Sequence, residues 1–160
     1  MNNIYLLLGG NIGDRINNLS AAKTLIEQKI GKVYKHSSLY QTVAWGNNDQ
    51  PDFLNQVILI KTKFSASKTM KIILTIENDM GRIRTIKNAP RIIDIDILFF
   101  NEAIINTPNL TIPHPEIANR KFVLIPLSQI SPDLKHPVLN KSVIELLNLC
   151  KDNLAVKLFA

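Results

Sequence analysis

The run Pro90-Arg91-Ile92-Ile93-Asp94-Ile95-Asp96-Ile97-Leu98-Phe99-Phe100 constrains this chain more than any other segment. Read as a strand, it puts residues two apart on one face, so Asp94 and Asp96 point one way and Ile93, Ile95, Ile97 and Phe99 the other. Ile92, Leu98 and Phe100 then fall on the aspartates' own face. Two carboxylates set among large apolar side chains are partly desolvated and close together, and both stay ionised only with a cation beside them. Such a pair suits hard, oxygen-seeking Mg2+, which keeps waters and takes substrate phosphates as further ligands. An exposed edge strand would also tolerate two aspartates. The apolar flanks, and Arg91 three residues ahead of Asp94, favour the buried site.

The remaining pattern frames that strand. Ile4 to Leu8 reads as a buried strand. Asp14 is placed to cap a helix running to about Ile30, with Gly31 as its stop. Val33 to Thr42 reads as a strand, Val43 to Asp52 as a polar loop, and Phe53 to Phe64 as the clearest strand of the chain. Ser65 or Ser67 caps a second helix ending at Gly81, and a second polar loop, Arg82 to Pro90, leads into the Ile92–Phe100 strand. After it come short elements punctuated by six prolines and a last helix near Ser142 to Cys150. The order strand, helix, strand, strand, helix, strand predicts an α+β, ferredoxin-like βαββαβ core, an antiparallel sheet with helices packed on it. With no repeat or linker, 160 residues make one domain, 1–160.

Charge narrows the partner. Nineteen Lys and Arg against 13 Asp and Glu leave +6, which favours an anionic ligand. Fourteen lysines are scattered, whereas Arg82, Arg84, Arg91 and Arg120 fall in one stretch and only Arg15 lies outside it. Clustered arginine fits planar, multi-donor recognition of phosphate or carboxylate, with surface ion pairs as the plainer alternative.

Three further features bear on chemistry. His114 lies between Pro113 and Pro115, six residues before Arg120, in a rigid turn where it could donate to a phosphate oxygen. Phe53 and Asn55 share a face at the start of a strand, an aromatic plate beside an amide, equipment for stacking a flat heterocycle and reading its edge. Trp45 stands alone in a polar loop, either a lid or a local anchor. Gly9-Gly10-Asn11-Ile12-Gly13 matches no phosphate-binding fingerprint and reads as a structural turn.

Taken in order, four segments resemble the 6-hydroxymethyl-7,8-dihydropterin pyrophosphokinase family of folate synthesis. They are Asp49 to Asn55 (DQPDFLN), Gly81-Arg82-Ile83-Arg84, Pro90 to Leu98 (PRIIDIDIL) and Pro113 to Leu127 (PHPEIANRKFVLIPL). The resemblance runs from the first strand to about Pro132. It implies transfer of the β,γ-pyrophosphoryl unit of ATP to the pterin hydroxymethyl oxygen, with release of AMP. It implies two Mg2+ ions on Asp94 and Asp96, and catalytic roles for Arg82 and Arg91 beside them. Glu77, Arg84, Ile97, His114 and Arg120 match nucleotide-binding positions. Thr42, Val43, Ala44, Trp45, Phe53, Asn55 and Phe122 match the pterin pocket. Lys87-Asn88-Ala89 stands where many members carry a tryptophan and a glycine.

Two other classes compete. A nucleic-acid-binding domain on the same sheet would want aromatics in an RNP-like pattern, which Phe53 to Phe64 lacks, and Asp94 and Asp96 would repel phosphate without metal. An Asp-x-Asp nucleotidyltransferase would release pyrophosphate instead of AMP. No apolar stretch approaches the ~20 residues that cross a bilayer, and the single Cys150 forms no internal disulfide. The expectation is a cytoplasmic monomer acting on small molecules, with neither nucleic-acid nor membrane partners.

Overall fold

The computed structural model describes residues 1–43, 49–82 and 91–160. Its centre is β1 (Asn2–Gly10), flanked antiparallel by β4 (Phe53–Thr62) and β5 (Asp94–Phe100). β2 (Val33–His36) and β3 (Tyr40–Thr42) both pair with β4, and β8 (Val156–Leu158) adds to β3. The six strands run β5-β1-β4-β3-β8, with β2 also on β4. A small hairpin, β6 (Ile105–Thr107) and β7 (Leu110–Ile112), stands apart.

Both faces of the central strands are apolar, so both must be covered. Ile4, Leu6, Leu8, Leu54, Ile58, Ile60, Ile93, Ile95 and Ile97 pack under α1 (Arg15–Lys29) and α2 (Ala66–Asp79), through Leu19, Ala22, Ile26, Ile73 and Ile76. Tyr5, Leu7, Val57, Leu59, Leu98 and Phe99 pack under α3 (Lys121–Ile130) and α4 (Val143–Leu149), through Val123, Leu124, Leu127, Val143 and Leu146. Each fully buried Leu, Ile, Val or Phe among them contributes about 1.5–3 kcal/mol. The ferredoxin-like order is therefore present, with a second helical layer on the opposite face.

Local chemistry sets the boundaries. Asp14 accepts the Asn17 N–H and Ser65 the Lys68 N–H, capping α1 and α2. Ser142 and Glu145 form a reciprocal capping box on α4. Gly81 ends α2 at φ +88°, a left-handed geometry that favours glycine.

Three expectations change. Val33–Thr42 is two strands: the Ser37 hydroxyl accepts the Val57 N–H and breaks the ladder. The alternation in β5 fails at Leu98, where the pairing steps from Tyr5↔Phe99 to Leu6↔Ile97. This β-bulge turns Phe99 to the α3 and α4 side and Phe100 to the other, the reverse of a strict period of two. Finally, Gly9 and Gly10 belong to β1 rather than to a turn.

Candidate active site

The cleft is built where α3 stops covering the sheet. In register across three strands lie Asn55, Gly9 and Asp94, and one step inward Val57, Leu7 and Asp96. These six share the α3 face, so the amide and the carboxylates stand at either side of a bare glycine. A Cβ on Gly9 would sit 2.7 Å from Asn55 Oδ1, so only glycine allows that approach. The cleft, about 260 Å3, is lined further by Thr42, Val43, Gln50, Phe53, Arg91, Arg120 and Phe122.

One side is charged. Arg82 Nη2 lies 3.2 Å from Asp94 Oδ1, and Arg91 Nη1 lies 3.4 Å from Asp94 Oδ2. Arg82 is only 11% exposed and sits behind Asp94; its Nη1 is 3.8 Å from Glu77 Oε1. Glu77 is 2% exposed, and its Oε2 accepts the Ile95 N–H at 2.8 Å. Burial, reinforced by the Asp94 charge, pushes the Asp96 carboxyl up to about 7, against the pull of Arg82, Arg120 and Arg91. A carboxyl held that high beside three arginines still lacks positive charge. Arg82 Nε and Nη1 are also buried without a hydrogen-bond acceptor among the described residues. The pair has all-oxygen donors, a shortage of cation and buried guanidinium donors near it. It fits a hard divalent cation arriving with an anionic substrate.

The other side is aromatic and amide. Asn55 Nδ2 donates to Thr42 Oγ1 at 3.0 Å, which fixes the carboxamide's orientation. Phe53 pairs with Thr42 in register. Phe122, on the first turn of α3, lies under the Arg120 guanidinium, 5.6 Å from the ring centroid. The Arg120 Nε is 3.8 Å from Glu116 Oε2.

His114 flanks this region. Its backbone N–H donates to Leu98 O at 3.0 Å, and its Nδ1 accepts the Glu116 N–H at 3.1 Å. Burial and the Arg120 charge lower its pKa, against Glu116 and Asp94. The ring is thus held neutral, with its proton on Nε2.

The sequence-derived residues divide accordingly. Thr42, Val43, Phe53, Asn55, Arg91, Asp94, Asp96, Arg120 and Phe122 meet at the cleft. Arg82 and Glu77 lie behind Asp94, and Glu77 acts on Arg82 and on the strand rather than from the cleft wall. The Ile97 side chain, on an odd-numbered position of β5, joins the α1 and α2 core, 4% exposed, so only its backbone is available to the cleft side. Ala44, Trp45 and Arg84, like Lys87-Asn88-Ala89, lie outside the described residues. Leu7, Gly9 and Gln50 line the cleft although the sequence assigned none of them a site role. Two adjacent glycines after a buried run were the available signal, because glycine inside a strand marks a close approach.

Residues 5–132 match the 7,8-dihydro-6-hydroxymethylpterin-pyrophosphokinase family. The chain belongs to that family. It is 44% identical over 132 residues to the 2-amino-4-hydroxy-6-hydroxymethyldihydropteridine pyrophosphokinase of Bacillus subtilis, covering 81% of this chain and 79% of that one. It is 41% identical over 140 residues to a folic acid synthesis protein of Dictyostelium discoideum, covering 87% of this chain. There it spans only 21% of the relative's length. Its fold matches wild-type HPPK-DHPS of Plasmodium falciparum, crystallised with pteroate, at a TM-score of 0.78. That match has 23% identity and covers 92% of this chain and 42% of the other. Among the described residues, no helix is long and apolar enough to cross a membrane.

Proposed function

We propose that this chain, as one catalytic domain over residues 1–160, transfers pyrophosphate from ATP to the hydroxymethyl group of 6-hydroxymethyl-7,8-dihydropterin, releasing AMP for folate synthesis. It works as a monomer in the cytoplasm, where ATP is available. The observation that carries this reading is the row Asn55–Gly9–Asp94 on one sheet face. It sets a reader of heterocycle edges beside a metal-type carboxylate, with nothing larger than a glycine between them.

In this reading the pterin ring lies between Phe53 and Phe122, and Asn55 hydrogen-bonds its edge. Thr42 holds the Asn55 amide so that its acceptor and donor are already aimed. Asp94 and Asp96 would hold two Mg2+ ions that come with ATP. Bound there, such ions would supply charge neutralisation to the phosphate oxygens. Arg91 and Arg120 line the cleft and take triphosphate oxygens bidentately; Arg84, outside the described residues, is assigned to the nucleotide by the family resemblance alone. Arg82, with its Nη2 on Asp94, adds positive charge behind the carboxylate pair. Neutral His114 offers its Nε2–H to a phosphate oxygen.

The hydroxymethyl oxygen attacks the β-phosphorus, the bond from that phosphorus to the α-bridging oxygen breaks, and AMP leaves with the electron pair. The hydroxyl proton passes to water. With Asp94 and Asp96 committed to the metal ions, the rate comes mostly from alignment and charge neutralisation. The test is chromatography of products from ATP and the pterin. AMP formed only when the pterin is present supports the proposal. Pyrophosphate release, or AMP formation that ignores the pterin, refutes it.

A further inference from the structure

We infer that Asn11 is a positioning residue that couples the pterin half of the cleft to its nucleotide half. The inference rests on the reading just proposed and goes beyond it, since Asn11 lines neither half. Its side chain is 1% exposed, and every polar atom of it is used. Oδ1 accepts the Arg91 N–H at 2.8 Å, while the Asn11 N–H donates to Arg91 O at 2.9 Å. Nδ2 donates to Gln50 Oε1 at 3.0 Å and to Pro51 O at 3.1 Å. One carboxamide thus joins segments 39 to 80 residues away in the chain.

The partners make the link consequential. Gln50 lines the cleft, and Pro51 leads within two residues to Phe53. Arg91 faces Asp94 from the other end. Hydrogen bonds between Asn11 and both the N–H and the carbonyl of Arg91, one through the Asn11 side chain and one through its backbone, fix where the Arg91 side chain starts. Neighbouring Gly10 has no room for a side chain: a Cβ there would sit 2.4 Å from Ile92 O, so the Asn11 backbone is pressed against the 91–92 segment. A pterin that orders residues 49–53 therefore orders Arg91 through Asn11, and a triphosphate held by Arg91 orders residues 49–53 in return. Linkage makes the two effects equal in free energy.

Calorimetric titration of 6-hydroxymethylpterin, with and without Mg2+ and α,β-methylene-ATP, measures that coupling. In the unaltered protein each ligand should tighten the other at least about fivefold. Asn11→Ala should bring the factor close to one while the affinity for the pterin alone changes much less. Asn11→Asp keeps the acceptor for Arg91 N–H but turns an oxygen toward the Pro51 carbonyl, so it should lose the coupling too, and it serves if Asn11→Ala does not fold. In the unaltered protein, the pterin alone should slow amide exchange at Arg91, an N–H it does not touch. Unchanged coupling in the folded variants, or an Arg91 amide indifferent to the pterin, overturns the inference. A protein that binds neither probe overturns the functional reading instead, a separate result.

Discussion

Glu77 on α2 accepts the N–H of Ile95, the residue between the two site aspartates, at 2.8 Å. This buried bond fixes the peptide that aims Asp94 and Asp96 into the cleft, while the other Glu77 oxygen faces Arg82 at 3.8 Å. Glu77→Ala strands the N–H and leaves the Arg82 charge without that partner, so we expect a loss of about 2–4 kcal/mol in urea unfolding. Glu77→Gln keeps an acceptor for Ile95 and should lose about 1 kcal/mol or less. It should lower kcat through Arg82 while leaving KM for the pterin near its original value. A Gln variant with full kcat would show that the charge does not position Arg82.

Asp96 should give the ligand-free protein a stability that declines with rising pH. Its carboxyl sits at about 7 in the fold against an ordinary 3.8. Between those values the folded state binds more protons than the unfolded one, so stability falls as pH rises from about 4 to about 7. Asp96→Asn should remove this slope and exceed the parent in denaturation midpoint at pH 8, while losing Mg2+-dependent nucleotide binding. Calorimetry below pH 7 in two buffers of different ionisation enthalpy should detect a proton released when Mg2+ and α,β-methylene-ATP bind. A variant with an unchanged slope would remove Asp96 as its source.

Gly9→Ala tests the bare position in the row. The added methyl would meet Asn55 Oδ1 at 2.7 Å and must push that carboxamide off the Thr42 hydroxyl. We expect a rise in KM for the pterin of about tenfold, the cost of roughly one hydrogen bond, with the affinity for α,β-methylene-ATP within about twofold. Equal losses for both ligands would mean that the methyl disturbs the whole sheet end.

The site was legible wherever a strand's period of two held. Asp94 with Asp96, and Phe53 with Asn55, share faces as their spacing requires. Past the Leu98 bulge that rule fails, and nothing local in Leu98-Phe99-Phe100 announces the extra residue, because all three are apolar. α3 was hidden by Pro126, a helix breaker by rule, here tolerated within a helix whose Val123, Leu124 and Leu127 bury fully. β8 was illegible for another reason: its partner β3 lies over a hundred residues earlier, so only the three-dimensional register defines it. Glu77 and Asn11 work through hydrogen bonds to distant backbone, which one-dimensional spacing does not encode.

His136 should oppose Asp96 over part of the same pH range. It is buried, its Nδ1 accepts the N–H groups of Val138 and Leu139, and its ring meets Phe99 edge-on at 5.6 Å. Burial lowers its pKa below the ordinary 6.5. Below 6.5 the unfolded state therefore binds more protons, and stability is lost as pH falls through that value toward the folded pKa. Half-buried His114, whose pKa is lowered by burial and by the Arg120 charge, acts in the same direction. His136→Asn keeps an acceptor for the two N–H groups but removes both the titration and the ring contact. At pH 8 it should cost about 1–2 kcal/mol from lost packing against Phe99. Between pH 8 and pH 5 its denaturation midpoint should fall less than the parent's. If the two fall in parallel, His136 titrates alike in both states and its burial is without consequence for acid stability.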